Sequence, residues 1–151
     1  MTINKVGLIK IAAFIFAFAP FHASAFGNDN IWVSGWGQGI SEALITKGPG
    51  NQIYATCGEG HTGIRFMLLG NAPTGHSVLL TFDNDDPVDV SIWEGMITSN
   101  CHACAGTYQS VVQKLRKHNS VHVRFENGDN TRFTLNGSSN AIVECVSDFA
   151  R

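Results

Sequence analysis

The sequence has little charge and no excess of positive charge. Its 151 residues hold ten lysines and arginines against twelve acids, a formal net charge of −2. Loss of the first 25 residues would remove Lys5 and Lys10 and no acid, leaving a formal charge of −4. A mildly acidic chain has no general affinity for polyanions. We therefore expect no nucleic-acid partner.

Beyond the N-terminus, no apolar run is long enough to cross a bilayer, which takes about 20 residues. The N-terminus itself follows the pattern of a secretory signal peptide. Lys5 and Lys10 precede an apolar run over Ile11–Ala19, and small residues stand at Ala23–Ala25. Cleavage would remove residues 1–25. The remaining residues 26–151 have a length typical of a single domain, and we predict one domain there. We expect a periplasmic or secreted protein without stable membrane insertion.

The chain also lacks internal repeats and the common catalytic motifs. No nucleophile elbow is present. Asp83–Asp86 lacks the glycine and the terminal glutamate of an EF-hand, and is more typical of a turn. Cys101, His102, Cys104 and His118 supply zinc-ligand types, but their spacing matches no common zinc module. We predict no catalytic residue, no metal and no cofactor.

Four cysteines are present, and four cysteines allow three pairings. In an oxidising compartment two disulfides are the ordinary state. We favour Cys101–Cys104 as a local clip and Cys57–Cys145 as a bridge that ties the C-terminal segment to an early strand. On the chain-entropy model, the long bridge contributes roughly 4–5 kcal/mol.

The Cys101-His-Ala-Cys104 segment also has a chemical interpretation. A C-x-x-C motif at a helix start favours the thiolate, which is the attacking species in thiol–disulfide exchange. A thioredoxin-like site, however, needs a β–α–β setting, and that pattern is absent. No proline follows Cys104 to form the expected cis-proline loop. A structural clip is favoured, and a thiol–disulfide oxidoreductase using Cys101 and Cys104 remains the alternative function.

Short alternating segments between turn signals predict a mainly β (α+β) fold, an antiparallel β-sandwich or barrel-like domain. A helix should begin near Thr107 as its cap and end at Asn119, with Tyr108, Val111, Val112 and Leu115 on its apolar face. A last short helix is favoured near residues 141–143. Seven strands are predicted, over residues 31–35, 52–57, 62–69, 77–82, 88–92, 121–125 and 132–135.

Candidate binding residues are two tryptophans and two arginines. Trp32 and Trp36 form either an exposed platform or part of the core, and the core is favoured. Arg124 and Arg132 belong to a late group of cations that could form a local patch, although a solvated helix face and strand edge is the simpler explanation. The expected partner is an unidentified protein or envelope ligand.

The second half resembles the invasion-associated locus B family of exported bacterial proteins. The features that carry the resemblance are the strand at Val78–Phe82, the paired cysteines at Cys101–Cys104, a helix ending in Leu115-Arg-Lys117, and the strand Val121–Phe125. The resemblance implies a non-enzymatic, virulence-associated protein that acts in host-cell interaction or envelope function. The segment Ile53–Cys57 is similar to small periplasmic lysozyme inhibitors, which implies inhibition of an envelope hydrolase as a second alternative.

Overall fold

The computed structural model describes residues 29–143 and Cys145. The predicted signal peptide and its cleavage site lie outside the described residues. Nine strands and two helices form two antiparallel sheets and a helical layer. The strands are β1 Val33–Gly37, β2 Ile40–Thr46, β3 Gln52–Cys57, β4 Gly63–Met67, β5 Ser77–Phe82, β6 Val88–Ser91, β7 Met96–Thr98, β8 Ser120–Phe125 and β9 Asn130–Thr134.

The first sheet has five strands in the order β1-β2-β3-β4-β7, and the second has four in the order β6-β5-β8-β9. Each sheet turns one face to a shared core, because alternate residues of a strand point to opposite sides. Ile53 and Phe66 enter the core from the first sheet, and Leu80 and Val123 enter it from the second. The sandwich alternative is therefore confirmed: the strands lie in two open sheets.

The main helix, α1, spans His102–Lys117, and a single-turn helix, α2, spans Ser138–Ala141. Ala105 and the predicted apolar face of α1 are buried. Tyr108 also donates a hydrogen bond from its hydroxyl to Thr56 O at 3.3 Å, which joins α1 to the end of β3. None of the described helices combines the length and the apolar character needed to cross a membrane.

The predicted cap of α1 is wrong by six residues. Cys101, not Thr107, is the N-cap: its backbone is extended, and its Sγ accepts the N–H of Cys104 at 3.1 Å. Thr107 lies inside the helix and donates its hydroxyl proton to Ala103 O at 3.2 Å. The Cys101-His-Ala-Cys104 segment is therefore the first turn of the helix and not a loop before it.

Two strands were missed in the sequence. Residues 36–45 carry no predicted strand, yet most of them belong to β1 and β2, which join at Gln38 and Gly39 in a turn with positive φ at both residues. Such a turn matches the twist of a hairpin. β7 was also missed, since it has only three residues and pairs with β4, far back in the chain.

The Asp83–Asp86 segment is a turn, as predicted. Asp83 adopts a positive φ of 46° at the end of β5, and its carboxylate accepts backbone N–H groups from Asn119 and Ser120 at 3.1 and 2.8 Å. Through these hydrogen bonds, the carboxylate joins the end of β5 to the start of β8, the two central strands of the second sheet. In the described part of the chain, no group of three or more histidine, cysteine or acidic residues is arranged to hold a metal ion.

Candidate binding surface around Trp93

A tight turn carries the chain from the second sheet to the first and exposes Trp93. The Trp93 N–H donates to Met96 O at 2.8 Å, and the Met96 N–H donates to Trp93 O at 3.1 Å. Between them, Glu94 and Gly95 have φ values of 49° and 75°, the pattern of a type I′ turn. Trp93 therefore stands at the junction of the sheets with 67% of its surface exposed.

On one side of Trp93, an open groove of about 380 Å³ lies over the outer face of the first sheet. The strand register places Tyr54, Arg65 and Met96 side by side across β3, β4 and β7. These side chains line the groove together with polar groups such as His61 and Asn100. The groove therefore offers hydrogen-bonding groups around a small apolar floor.

Gly63 creates that floor. It lies on the outer face of β4, and a Cβ at this position would overlap the Met96 Cε and come within 2.9 Å of Ile97 O. The missing side chain thus leaves the space in which the Met96 thioether lies across β4. Methionine is flexible and polarizable, and it adapts well to irregular ligand surfaces.

Tyr54 is the fixed polar group of the groove. Its hydroxyl donates to Glu42 Oε1. Burial, and next the Glu42 carboxylate, raise the pKa of Tyr54 to about 12. Tyr54 is therefore a neutral phenol at any physiological pH. Because Glu42 already accepts its proton, the phenol oxygen can act toward a ligand only as a hydrogen-bond acceptor.

Arg65 supplies the nearest positive charge. Its guanidinium is exposed, and within the described residues it makes no ion pair or hydrogen bond. A planar guanidinium next to an aromatic ring binds carboxylates and carbonyl groups with several donors at once. The groove can therefore bind a polar backbone as well as apolar side chains.

On the other side of Trp93, a second groove of about 310 Å³ separates β7 from the start of α1. Its lining is mostly apolar and includes Ile92, Ile97, Ala103 and Cys104. Trp93 and Thr98 line both grooves. Trp93 is the large exposed side chain of the two residues that the grooves share.

The cysteines pair as predicted. Cys57 bonds to Cys145 with a Cα–Cα distance of 5.7 Å, and Cys101 bonds to Cys104 with a Cα–Cα distance of 4.9 Å. The first bridge ties the end of β3 to the segment after α2. The second closes the first turn of α1 at the solvent surface, where Cys101 is exposed and Cys104 borders the second groove.

The four predicted binding residues do not form one site. Trp32 is a core residue with 7% exposure, and its indole N–H donates to Thr134 O at 3.1 Å. Trp36 is 76% exposed on the edge strand β1, so the core placement favoured for it is wrong. The two tryptophans therefore form no common platform.

The two arginines lie on the outer face of the second sheet, away from Trp93. Arg132 donates to Ser120 Oγ at 3.1 Å. Arg124 lines a separate shallow depression of about 330 Å³ together with Asp89 and Glu126. These two arginines have acidic neighbours or hydrogen-bond partners. They therefore do not form a patch of positive charge.

Trp93 and Tyr54 were not among the predicted binding residues. The local signal for Trp93 was a Glu-Gly pair after an alternating strand, which indicates a turn. Tyr54 alternates with buried residues of β3, and this pattern indicates only a strand. Neither signal indicates a groove. The groove forms because β7 pairs with β4, although β5 and β6 lie between them in the sequence.

The geometry defines a small, disulfide-bonded antiparallel β-sandwich with an open surface at the junction of its sheets. A protein-family model described as YfjT matches residues 30–142. This match covers well over half of the chain, and the chain belongs to the YfjT family. No curated protein and no solved structure matches it. Nothing in these comparisons connects it to the invasion-associated locus B family, and that resemblance stays a prediction.

Proposed function

We propose that the protein is an exported binding protein, periplasmic or secreted, that holds a protein partner through the surface around Trp93 and has no catalytic activity. One observation carries the proposal: an indole with 67% exposure separates two grooves. Tryptophan is among the residues most enriched at the energetic centres of protein interfaces.

The chemistry of the two grooves supports a protein partner. The first groove offers the Tyr54 hydroxyl and the Arg65 guanidinium for a peptide backbone, and the second offers Ile92 and Ile97 for apolar side chains. An apolar centre with a polar rim is the usual composition of a protein interface. His61 lines the first groove without a hydrogen bond to a hydroxyl or thiol in the described residues, which favours binding over hydrolysis.

Two disulfides in so small a domain support export, because such bridges persist in oxidising compartments. Expression of the full chain in a bacterial host, followed by N-terminal sequencing of the periplasmic and secreted fractions, tests this part. The sequence should begin at Phe26. A product that keeps residues 11–19 would overturn the proposed export.

Immobilised protein of residues 26–151 tests the binding surface, with envelope extract and culture medium as the source of partners. Trp93→Ala should lose the partner that wild type retains. Trp36→Ala is the matched control, since Trp36 is also a highly exposed tryptophan but lies at the opposite edge of the first sheet. Retention of the partner by Trp93→Ala would overturn the proposed surface. Lysozyme among the retained proteins would identify the function as hydrolase inhibition.

A further inference from the structure

The Cys101–Cys104 disulfide places a chemically reactive group at the edge of the second groove. Cys104 borders the second groove beside Trp93 and Ile97. Cys101 is exposed at the N-cap of α1. We propose that this disulfide is a covalent docking site: a cysteine thiol of a peptide bound in the second groove attacks Cys104 and forms a mixed disulfide with it.

The fold does not depend on this bridge. It spans only three positions, whereas Cys57–Cys145 spans 88. A short ring restricts the unfolded chain far less than a long one. The helix that carries it is held by five buried side chains, among them Tyr108 and Leu115. Opening the bridge therefore leaves the sandwich and its helix in place.

The hydrogen bonds at the helix start decide which sulfur leaves. The Cys101 Sγ already accepts the Cys104 N–H at 3.1 Å, and the first turn of α1 holds no acidic residue. A thiolate at this position is stabilised by that N–H and by the positive end of the helix dipole. A better stabilised thiolate leaves faster in thiol–disulfide exchange. Cys101 is therefore the leaving group, and Cys104 is the sulfur attacked.

The step is balanced without another oxidant or reductant. The incoming thiolate forms a bond to the Cys104 Sγ, the bond between Cys104 and Cys101 breaks, and its electron pair goes to the Cys101 Sγ. The products are one mixed disulfide and one thiolate. Return attack by Cys101 on the mixed disulfide releases the peptide thiol. The exchange is stoichiometric capture and not turnover, so it extends the proposed binding function without depending on the partner's identity.

The groove specifies the peptide. Its wall is apolar around Ile92, Trp93 and Ile97, and Ala103 leaves room beside Cys104. A cysteine flanked by apolar residues fits this lining, whereas a small hydrophilic thiol gains nothing from it. A hydrophilic thiol therefore reports the reactivity of the disulfide alone. A peptide thiol with apolar neighbours also reports recognition by the groove.

The first experiment treats oxidised protein with reduced glutathione, quenches with acid, alkylates free thiols and maps the peptides. We expect glutathione on Cys104, alkylation of Cys101 and an intact Cys57–Cys145 bridge. Glutathione on Cys101, or opening of both bridges at one rate, would overturn the assignment.

The second experiment compares a cysteine peptide flanked by leucines with one flanked by glycines. The leucine peptide should exchange about tenfold faster, the magnitude of one buried aromatic contact. Trp93→Ala should abolish this preference, while Trp36→Ala, on the opposite edge of the first sheet, should preserve both the preference and the glutathione rate. Equal rates for the two peptides on wild type would refute docking in the groove.

Discussion

The Asp83 carboxylate accepts the backbone N–H of Asn119 at 3.1 Å and so fixes the end of β5 against the residue that precedes β8. The Ser120 N–H and the His118 ring donate to the same carboxylate from 2.8 and 3.2 Å. These donors, with the Asn119 N–H as the largest contribution, hold the pKa of Asp83 below its ordinary value. A side chain on the turn thus supplies an acceptor where the helix ends and the strand begins.

Asp83→Asn should destabilise the fold at neutral pH, and the difference should shrink in acid. The folded-state pKa of Asp83 lies below its unfolded value of about 3.9. The charged carboxylate therefore stabilises the fold above that pH, and the contribution is lost as the pH falls through the folded pKa. Urea melts from pH 5 downward measure this.

Asp86→Asn is the control for that experiment, because Asp86 is exposed on the same turn and its carboxylate bonds nothing in the described part of the chain. A constant difference between wild type and Asp83→Asn at every pH would show that the lost hydrogen bonds, and not the charge, account for the effect.

Leu115→Ala should cost roughly 2–4 kcal/mol, the usual effect of truncating a buried leucine. Leu115 is 0% exposed and is one of the residues through which α1 packs on the core. Gln113→Ala, on the exposed side of the same helix, should change the free energy of unfolding by less than about 0.5 kcal/mol. Similar costs for both variants in denaturant melts would contradict the assigned apolar face.

Replacement of Cys57 and Cys145 together by alanine should destabilise the protein more than replacement of Cys101 and Cys104. On the chain-entropy model, loops of 88 and 3 positions differ by about 3 kcal/mol in closure entropy. Denaturant melts of the two double variants measure the difference. An equal loss in both would mean that the bridge in α1 has a structural role beyond its short ring.

Gly63→Ala should cost about 1–3 kcal/mol, as overpacking usually does. The new Cβ would displace the Met96 side chain and press on Ile97 O at 2.9 Å. Met96→Ala in the same chain should recover part of that cost, which a double-mutant cycle of thermal melts would measure. If Met96→Ala recovers nothing, the contact with the Ile97 carbonyl alone causes the strain.

Local patterns were enough to locate much of the fold. The bounds of β3 and β5 follow from the turn residues on either side, and the buried face of α1 follows from helical periodicity. The disulfide pairing followed from loop lengths and the expected compartment. The start of α1 does not follow from the sequence, because cysteine is not a usual N-cap whereas the hydroxyl of Thr107 is a common capping group.

The candidate site depends on contacts between residues far apart in sequence. Trp32 and Trp36 have similar surroundings in the sequence, yet one is buried and the other is exposed. The difference arises because Trp32 reaches Thr134, 102 positions away, while Trp36 lies on the edge strand. The residues next to each tryptophan in the sequence do not indicate which distant residues it contacts. The exposure of Trp93 could not be predicted for the same reason.

The strand order has a consequence for how the molecule is made. β5 is complete at Phe82, but its central partner β8 begins only at Ser120, and Phe133 on β9 fills the core later still. Until those residues emerge, Val78, Leu80 and Phe82 lie on an unpaired strand edge, which invites association with other chains. A chain truncated after α1 should therefore aggregate and not fold to half a sandwich. We expect folding to wait for the last strands, which under the proposed export would keep the chain in the unfolded form that a secretion channel passes.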